Sequence, residues 1–155
     1  MGLIQQLLLG TSVLCICALI HVSLLALALP LLMRLGDAHR KRDNFFSAAV
    51  LISVGFGITV VAHTLQVWVW AATLLLLQAA PNLEEALYFS LVTYTTLGYG
   101  DIVPGVEIRM YFTLAAVTGL LTFGLSTAFL VGLITKVLAK YADAAEERAH
   151  RKDVT

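Results

Sequence analysis

Three stretches of the chain contain no Asp, Glu, Lys or Arg: residues 1–33, 44–83 and 110–135. A helix needs about 20 apolar residues to cross the roughly 30 Å hydrocarbon core of a bilayer. Each stretch is long enough, and each predicts a spanning helix. Composition agrees, with 59% of the 155 residues hydrophobic and 13% charged, against about one half and one quarter in soluble domains. The pattern excludes an ordinary soluble domain. No nucleophile–base pair or metal-ligand cluster stands out, which argues against an enzyme, and a net charge of zero gives no footprint for nucleic acid.

The first block, about Leu3 to Met33 with Pro30 near its end, lacks a basic leader and ends in LPLLMRLG without a small-residue cleavage site. It therefore reads as a retained helix rather than a signal peptide. Cys15 and Cys17 lie two apart on it, so on a helix they diverge and read as packing residues. Arg34, Arg40, Lys41 and Arg42 follow in the 34–43 loop, and five more basic residues lie at or after Lys136. Between blocks two and three Arg109 alone is basic, among Glu84, Glu85, Asp101 and Glu107. The positive-inside rule then puts the 34–43 loop and the C-terminus in the cytoplasm, with the N-terminus and residues 80–108 outside.

Block two runs from about Phe45 to Gln78, about 50 Å as one helix. No Pro, Asn or Asp divides it, so a single tilted helix is expected. Ala49, Ser53 and Gly57 form an i, i+4, i+8 stripe of small residues suited to close helix packing. Trp68 and Trp70 read as interface or packing anchors. Next comes Leu83–Thr95, too short to cross. Asn82 with Glu85 three residues on makes a capping box that starts a helix there. A short helix entering from outside has to stop partway and return through TLGYGDIVP, which makes the segment re-entrant. Non-helical backbone at that depth is tolerated where protein buries it or where it lines an aqueous cavity. Glycines free the backbone to bring carbonyls onto one side, and Thr96 adds a hydroxyl. Such a stack of oxygen dipoles can replace the hydration shell of a monovalent cation.

The run TTLGYGD resembles the filter motif of potassium channels, Thr-Val-Gly-Tyr-Gly-Asp. Thr96, Leu97, Gly98, Tyr99 and Gly100 match the filter, with Leu97 where Val or Ile is usual, and Asp101 matches the outer-mouth aspartate. LYFSLVTYTT resembles the family's pore helix, and GLLTFGLSTAFLVG (119–132) its inner helix. The resemblance covers about Leu83–Thr135. Departures are Val92, where some relatives carry a glutamate, and Tyr88 and Phe89, where others carry tryptophans. The first helix has no counterpart in the minimal two-helix pore.

The resemblance implies an all-α membrane protein with three transmembrane helices, a re-entrant pore helix and a filter. Residues 1–43 are the extra N-terminal helix and basic loop. Residues 44–139 are the pore domain, with an outer helix at 44–78, pore helix at 83–95, filter at 96–100 and inner helix at 109–139. Residues 140–155 are a short cytoplasmic tail. Because one strand cannot surround an ion, four chains are expected around a shared axis. Potassium would bind at the carbonyls of Thr96, Leu97, Gly98 and Tyr99, as permeant ion rather than cofactor. By resemblance Gly119 matches a gating hinge, and Leu120, Phe123 and Thr127 face the cavity. Continuing that row reaches Val131 and Thr135, candidates for an intracellular constriction.

The expected setting is the plasma membrane, as a multi-pass homotetramer in the lipid bilayer. No regularly spaced row of Arg or Lys marks a voltage sensor. His63, with Gln66 one turn later, is the candidate proton sensor, against the commoner alternative of a neutral histidine bonded across helices. His21 is a weaker candidate of the same kind. The competing readings are a non-conducting pore-like subunit, against which the intact Thr96–Gly100 run speaks, and a transporter subunit, disfavoured by the full Gly-Tyr-Gly.

Overall fold

Backbone at membrane depth finds no water to bond, so each spanning block has to satisfy its own N–H and C=O groups, and a helix does this locally. The computed structural model describes residues 1–38 and 45–153, and its elements are α1 (Leu3–Ala38), α2 (Phe45–Leu76), α3 (Leu83–Tyr94) and α4 (Arg109–Asp153). Three of these are long and apolar enough to cross a membrane, over Leu3–Gly36, Phe46–Leu76 and Arg109–Ala139. Residues 39–44 of the expected basic loop and residues 154–155 of the tail lie outside the described residues.

Element ends differ from expectation in three places. α1 carries Pro30 inside it and continues past Met33 into the expected loop. α2 stops two residues early, at Leu76, because Gln78 adopts a left-handed conformation with φ +53°. The Gln78 N–H then donates to the Leu75 carbonyl at 3.0 Å and the Ala79 N–H to that of Leu74 at 2.8 Å, a Schellman ending with glutamine where glycine is usual. α4 joins the inner helix expected to end at Ala139 to the solvated helix expected over 136–152, and runs on unbroken to Asp153. After Gly132 it meets no glycine or proline and is rich in Ala, Glu, Lys and Arg, all good helix formers.

α3 starts as the capping pattern predicts: the Asn82 side-chain oxygen accepts from the Glu85 N–H at 2.9 Å. Removing that acceptor leaves an N-terminal donor unsatisfied, so Asn82→Ala is expected to cost about 1 kcal/mol. A thermal melt of the detergent-solubilised protein checks it.

α1 packs on α2 and α4, and α3 packs on the same two helices but not on α1. Gln6 of α1 caps α4, its side-chain oxygen accepting from the N–H groups of Met110 at 3.1 Å and Tyr111 at 3.4 Å. These are two of the donors that a helix N-terminus leaves without an internal partner. Between the helices lies an aromatic core. Trp70 is fully buried against Tyr111 and Phe112, and Phe89 of α3 meets Phe112 edge-on at 5.7 Å. Trp68, by contrast, is 48% exposed. Of the Ala49–Ser53–Gly57 stripe, Ala49 is half-buried, while Ser53 and Gly57 are exposed and Gly57 has open space beside it. The close approach is instead at buried Gly55, against the Leu133 side chain.

Candidate functional site

The segment after α3 is shaped by the helix it leaves. Thr95 closes α3 in a helical conformation, its N–H donating to the Leu91 carbonyl at 3.0 Å and its hydroxyl to the same carbonyl at 2.7 Å. The Thr96 N–H reaches the Thr93 carbonyl at 3.0 Å and the Gly98 N–H the Val92 carbonyl at 3.2 Å. The expected filter is thus tied to the last turn of α3 from its first residues.

Its backbone alternates. Thr96, Gly98 and Gly100 have φ of +61°, +56° and +76°, while Leu97 and Tyr99 between them are not in the positive range. Glycine adopts these values freely, but a β-branched threonine does so at a cost of order 1–3 kcal/mol. Residues 95–101 are all exposed in the single chain, Leu97 at 55% and Tyr99 at 69%.

Asp101 lies beside α3. The Tyr88 hydroxyl donates to its carboxylate at 2.5 Å, and the Ile102 N–H donates to the other oxygen at 3.0 Å. The Tyr88 bond holds the Asp101 carboxyl below its ordinary 3.8, and the same bond pushes the Tyr88 phenol up. A carboxylate depressed in this way keeps its bonds above its ordinary titration range and loses them as pH falls through the lowered value. Tyr88→Phe is therefore expected to move the Asp101 midpoint upward, toward 3.8. A carbon-detected titration of that carboxyl measures it, and an unmoved midpoint refutes the assignment.

The expected inner-helix residues divide into two groups. Leu120, Phe123, Thr127, Val131 and Thr135 are all exposed on α4. Gly119 is not with them. It is buried against the end of α3, where an added Cβ would overlap the Tyr94 carbonyl oxygen and lie 3.0 Å from the carbonyl carbon. Close approach of two backbones is thus a sufficient reason for glycine at 119, whatever bending it also permits. Phe123 turns one face to the His63 ring, with centroids 4.4 Å apart.

His63 has both ring nitrogens occupied, Nδ1 with the Tyr94 hydroxyl at 2.8 Å and Nε2 with the Ser126 hydroxyl at 2.9 Å. Ser126 also meets His21 Nε2 at 3.0 Å, and His21 Nδ1 meets Gln66 Nε2 at 2.7 Å. Tyr94 donates to Gln66 Oε1 at 3.2 Å and lies 2.8 Å from the Thr122 hydroxyl. Sequence reasoning singled out His63 with Gln66 and gave His21 less weight, but it passed over Tyr94, Thr122 and Ser126. The available signal was that polar groups inside charge-free spans need partners. It names candidates without saying which ones meet. Tyr88 was noted as a departure, and its bond to Asp101 was missed.

Residues 62–136 match a family model described as ion channel. Over 74 residues the chain is 38% identical to the voltage-gated potassium channel Kch of Escherichia coli (strain K12), which covers 46% of this chain and 18% of that protein. Over 137 residues it is 29% identical to the two-pore potassium channel 3 of Arabidopsis thaliana, covering 86% of this chain and 31% of that protein. The chain spans less than a third of the length of either relative. No solved structure matches it. The matched family and both relatives are channels rather than enzymes, in agreement with the sequence.

Proposed function

We propose that this chain, whose residues 62–136 match a family model described as ion channel, is one of four identical subunits of a potassium-selective channel. The observation that carries the reading is the alternating sign of φ along Thr96–Gly100. Alternating right- and left-handed residues gather N–H groups on one side of a ribbon. In a trans peptide the C=O points opposite to the N–H, so carbonyls gather on the other side. Four such ribbons around an axis give rings of oxygens from Thr96, Leu97, Gly98 and Tyr99, with the Thr96 hydroxyl added below. Potassium sheds water into these rings, and neighbouring ions repel enough to keep the file moving.

Other features support the same reading. α3 has 12 residues, about 18 Å, too short to span and suited to re-entry from outside. The exposure of Leu97 and Tyr99, and of Leu120, Phe123, Thr127, Val131 and Thr135 on α4, fits surfaces that other subunits and a central cavity complete. Gly119 serves as hinge as well as contact, and Val131 and Thr135 form an uncharged constriction whose apolar Val131 ring gates by dewetting. The basic residues orient the N-terminus outside and the C-terminus in the cytoplasm of a cell membrane.

The test is flux through purified protein in liposomes under potassium or sodium gradients. Potassium uptake without sodium uptake, lost in Gly98→Asp and Tyr99→Ala, is the expected result. Absent potassium flux, or flux that those variants leave intact, overturns the proposal.

A further inference from the structure

We propose that His21, on the helix that lies outside the residues matched by the family model, is a positioning residue for the filter and acts on it through a closed ring of hydrogen bonds that includes Tyr94. The inference rests on the channel reading above and adds a role for α1 within it.

The ring joins five side chains drawn from all four helices: His21 from α1, His63 and Gln66 from α2, Tyr94 from α3 and Ser126 from α4. Donor and acceptor counting fixes its direction. The Gln66 side-chain nitrogen donates to the Ala62 carbonyl at 3.1 Å, which sets which end of the amide is nitrogen. An amide nitrogen only donates, so His21 Nδ1, at 2.7 Å from it, accepts. A neutral imidazole accepting at Nδ1 carries its proton on Nε2, which donates to the Ser126 hydroxyl at 3.0 Å. That hydroxyl has one proton, and it goes to His63 Nε2 at 2.9 Å. His63 then carries its own proton on Nδ1 and donates to the Tyr94 oxygen at 2.8 Å. Tyr94 donates to Gln66 Oε1 at 3.2 Å, with the Thr122 hydroxyl at 2.8 Å turning its own proton to the Tyr94 oxygen, and the circuit closes. All five members are neutral, and each gives one proton to the next and takes one from the last.

The ring reaches a consequential place. Tyr94 is the last residue of α3, two before Thr96 with its left-handed φ of +61°. Its carbonyl lies on Gly119 of α4, and its ring is 1% exposed. The backbones of α1 and α3 do not approach one another closely, and the ring is a polar route from α1 to the pore-helix end. Without the His21 imidazole, the Gln66 nitrogen and the Ser126 hydroxyl each lose a partner. Ser126 is then free to turn, His63 is no longer held in one tautomer, and the restraint on Tyr94 slackens. Ion discrimination in a carbonyl cage depends on where those carbonyls sit, so the slack reaches selectivity.

The experiment measures reversal potentials of the full chain in liposomes under potassium against sodium, for wild type, His21→Leu, Tyr94→Phe and the double variant, each taken from the tetramer fraction. The expected result is a potassium-to-sodium permeability ratio lowered about tenfold in His21→Leu, with no further loss when Tyr94→Phe is added, because coupled sites are not additive. His21→Asn, which keeps an acceptor facing Gln66, is expected to recover part of the ratio. If the leucine variant fails to assemble, Tyr94→Phe serves as the reporter. A selective wild type with an unchanged ratio in His21→Leu, or in Tyr94→Phe where the leucine variant does not assemble, overturns this inference alone, leaving α1 as packing. Losses that multiply in the double variant overturn it too, since His21 would then act independently of Tyr94. A wild type that does not discriminate the two ions removes the channel reading and this inference together.

Discussion

Gly119→Ala is expected to destabilise the pore more than any other single methyl group placed on α4. The added carbon lands on the carbonyl oxygen of Tyr94, with the Tyr94 Cδ1 a further 3.4 Å contact. A backbone oxygen at the end of a helix has no rotamer to escape into, so α3 or α4 has to move. Overpacking of this kind costs about 3 kcal/mol, at the upper end of the usual range, and a tetramer carries it four times. Gly124 provides the control on the same helix, with no atom within 4 Å of its added Cβ. There alanine replaces a helical glycine in open space and is expected to be neutral or to stabilise by up to about 1 kcal/mol. Thermal melts of the two variants side by side give the comparison, and equal melting temperatures exclude the Tyr94–Gly119 contact as the cause.

Gly98→Ala is expected to abolish selective conduction while leaving the assembly intact. The two halves of that statement have separate causes. Sterically the site is open, because the nearest atom to an added Cβ is the Thr96 carbonyl oxygen at 4.0 Å. Conformationally it is closed, because φ is +56°, where an L-residue pays roughly 1–2 kcal/mol. In the proposed tetramer, four copies around one ion would make about 4–8 kcal/mol against the left-handed geometry, enough to turn the peptide plane and take a carbonyl out of the proposed ring. Potassium flux in liposomes is expected to fall by more than about a hundredfold, which needs only 2.7 kcal/mol of that cost. Size-exclusion profiles are expected to match wild type. Retained flux shows that the left-handed turn at Gly98 is dispensable.

The two predictions draw on different degrees of legibility. The spans were readable because an absence of charge over 26 or more residues leaves few alternatives, and the start of α3 because Asn82 and Glu85 sit at capping distance. Left-handed glycines in the filter were readable as residue types. A left-handed Gln78 and Thr96 were not, since neither residue prefers that conformation and only the surrounding bonds impose it. Gly119 was readable as a glycine that matters, but the Tyr94 carbonyl behind it is 25 residues away in sequence. The polar ring was least legible of all. Its bonds join residues between 28 and 105 positions apart, and no local periodicity encodes such pairings. Spacing alone does not say which face of α2 meets α4 within the chain, and that face is the one bearing Gly55, not the Ala49–Ser53–Gly57 stripe.

The continuity of α4 has a mechanical consequence. A helix of 45 residues is a rod about 68 Å long, more than twice the hydrocarbon thickness. Taking the Tyr94–Gly119 contact as fulcrum, the arm back to Arg109 is about 15 Å and the arm out to Asp153 about 50 Å. The lever ratio therefore exceeds three to one. With α4 unbent at Gly119, displacement applied at the far tip arrives at the Arg109 end divided by about three, and force arrives multiplied by the same factor. A weak pull on the tip is then geared to do stiff work at the short end, and bending at Gly119 disengages the gearing.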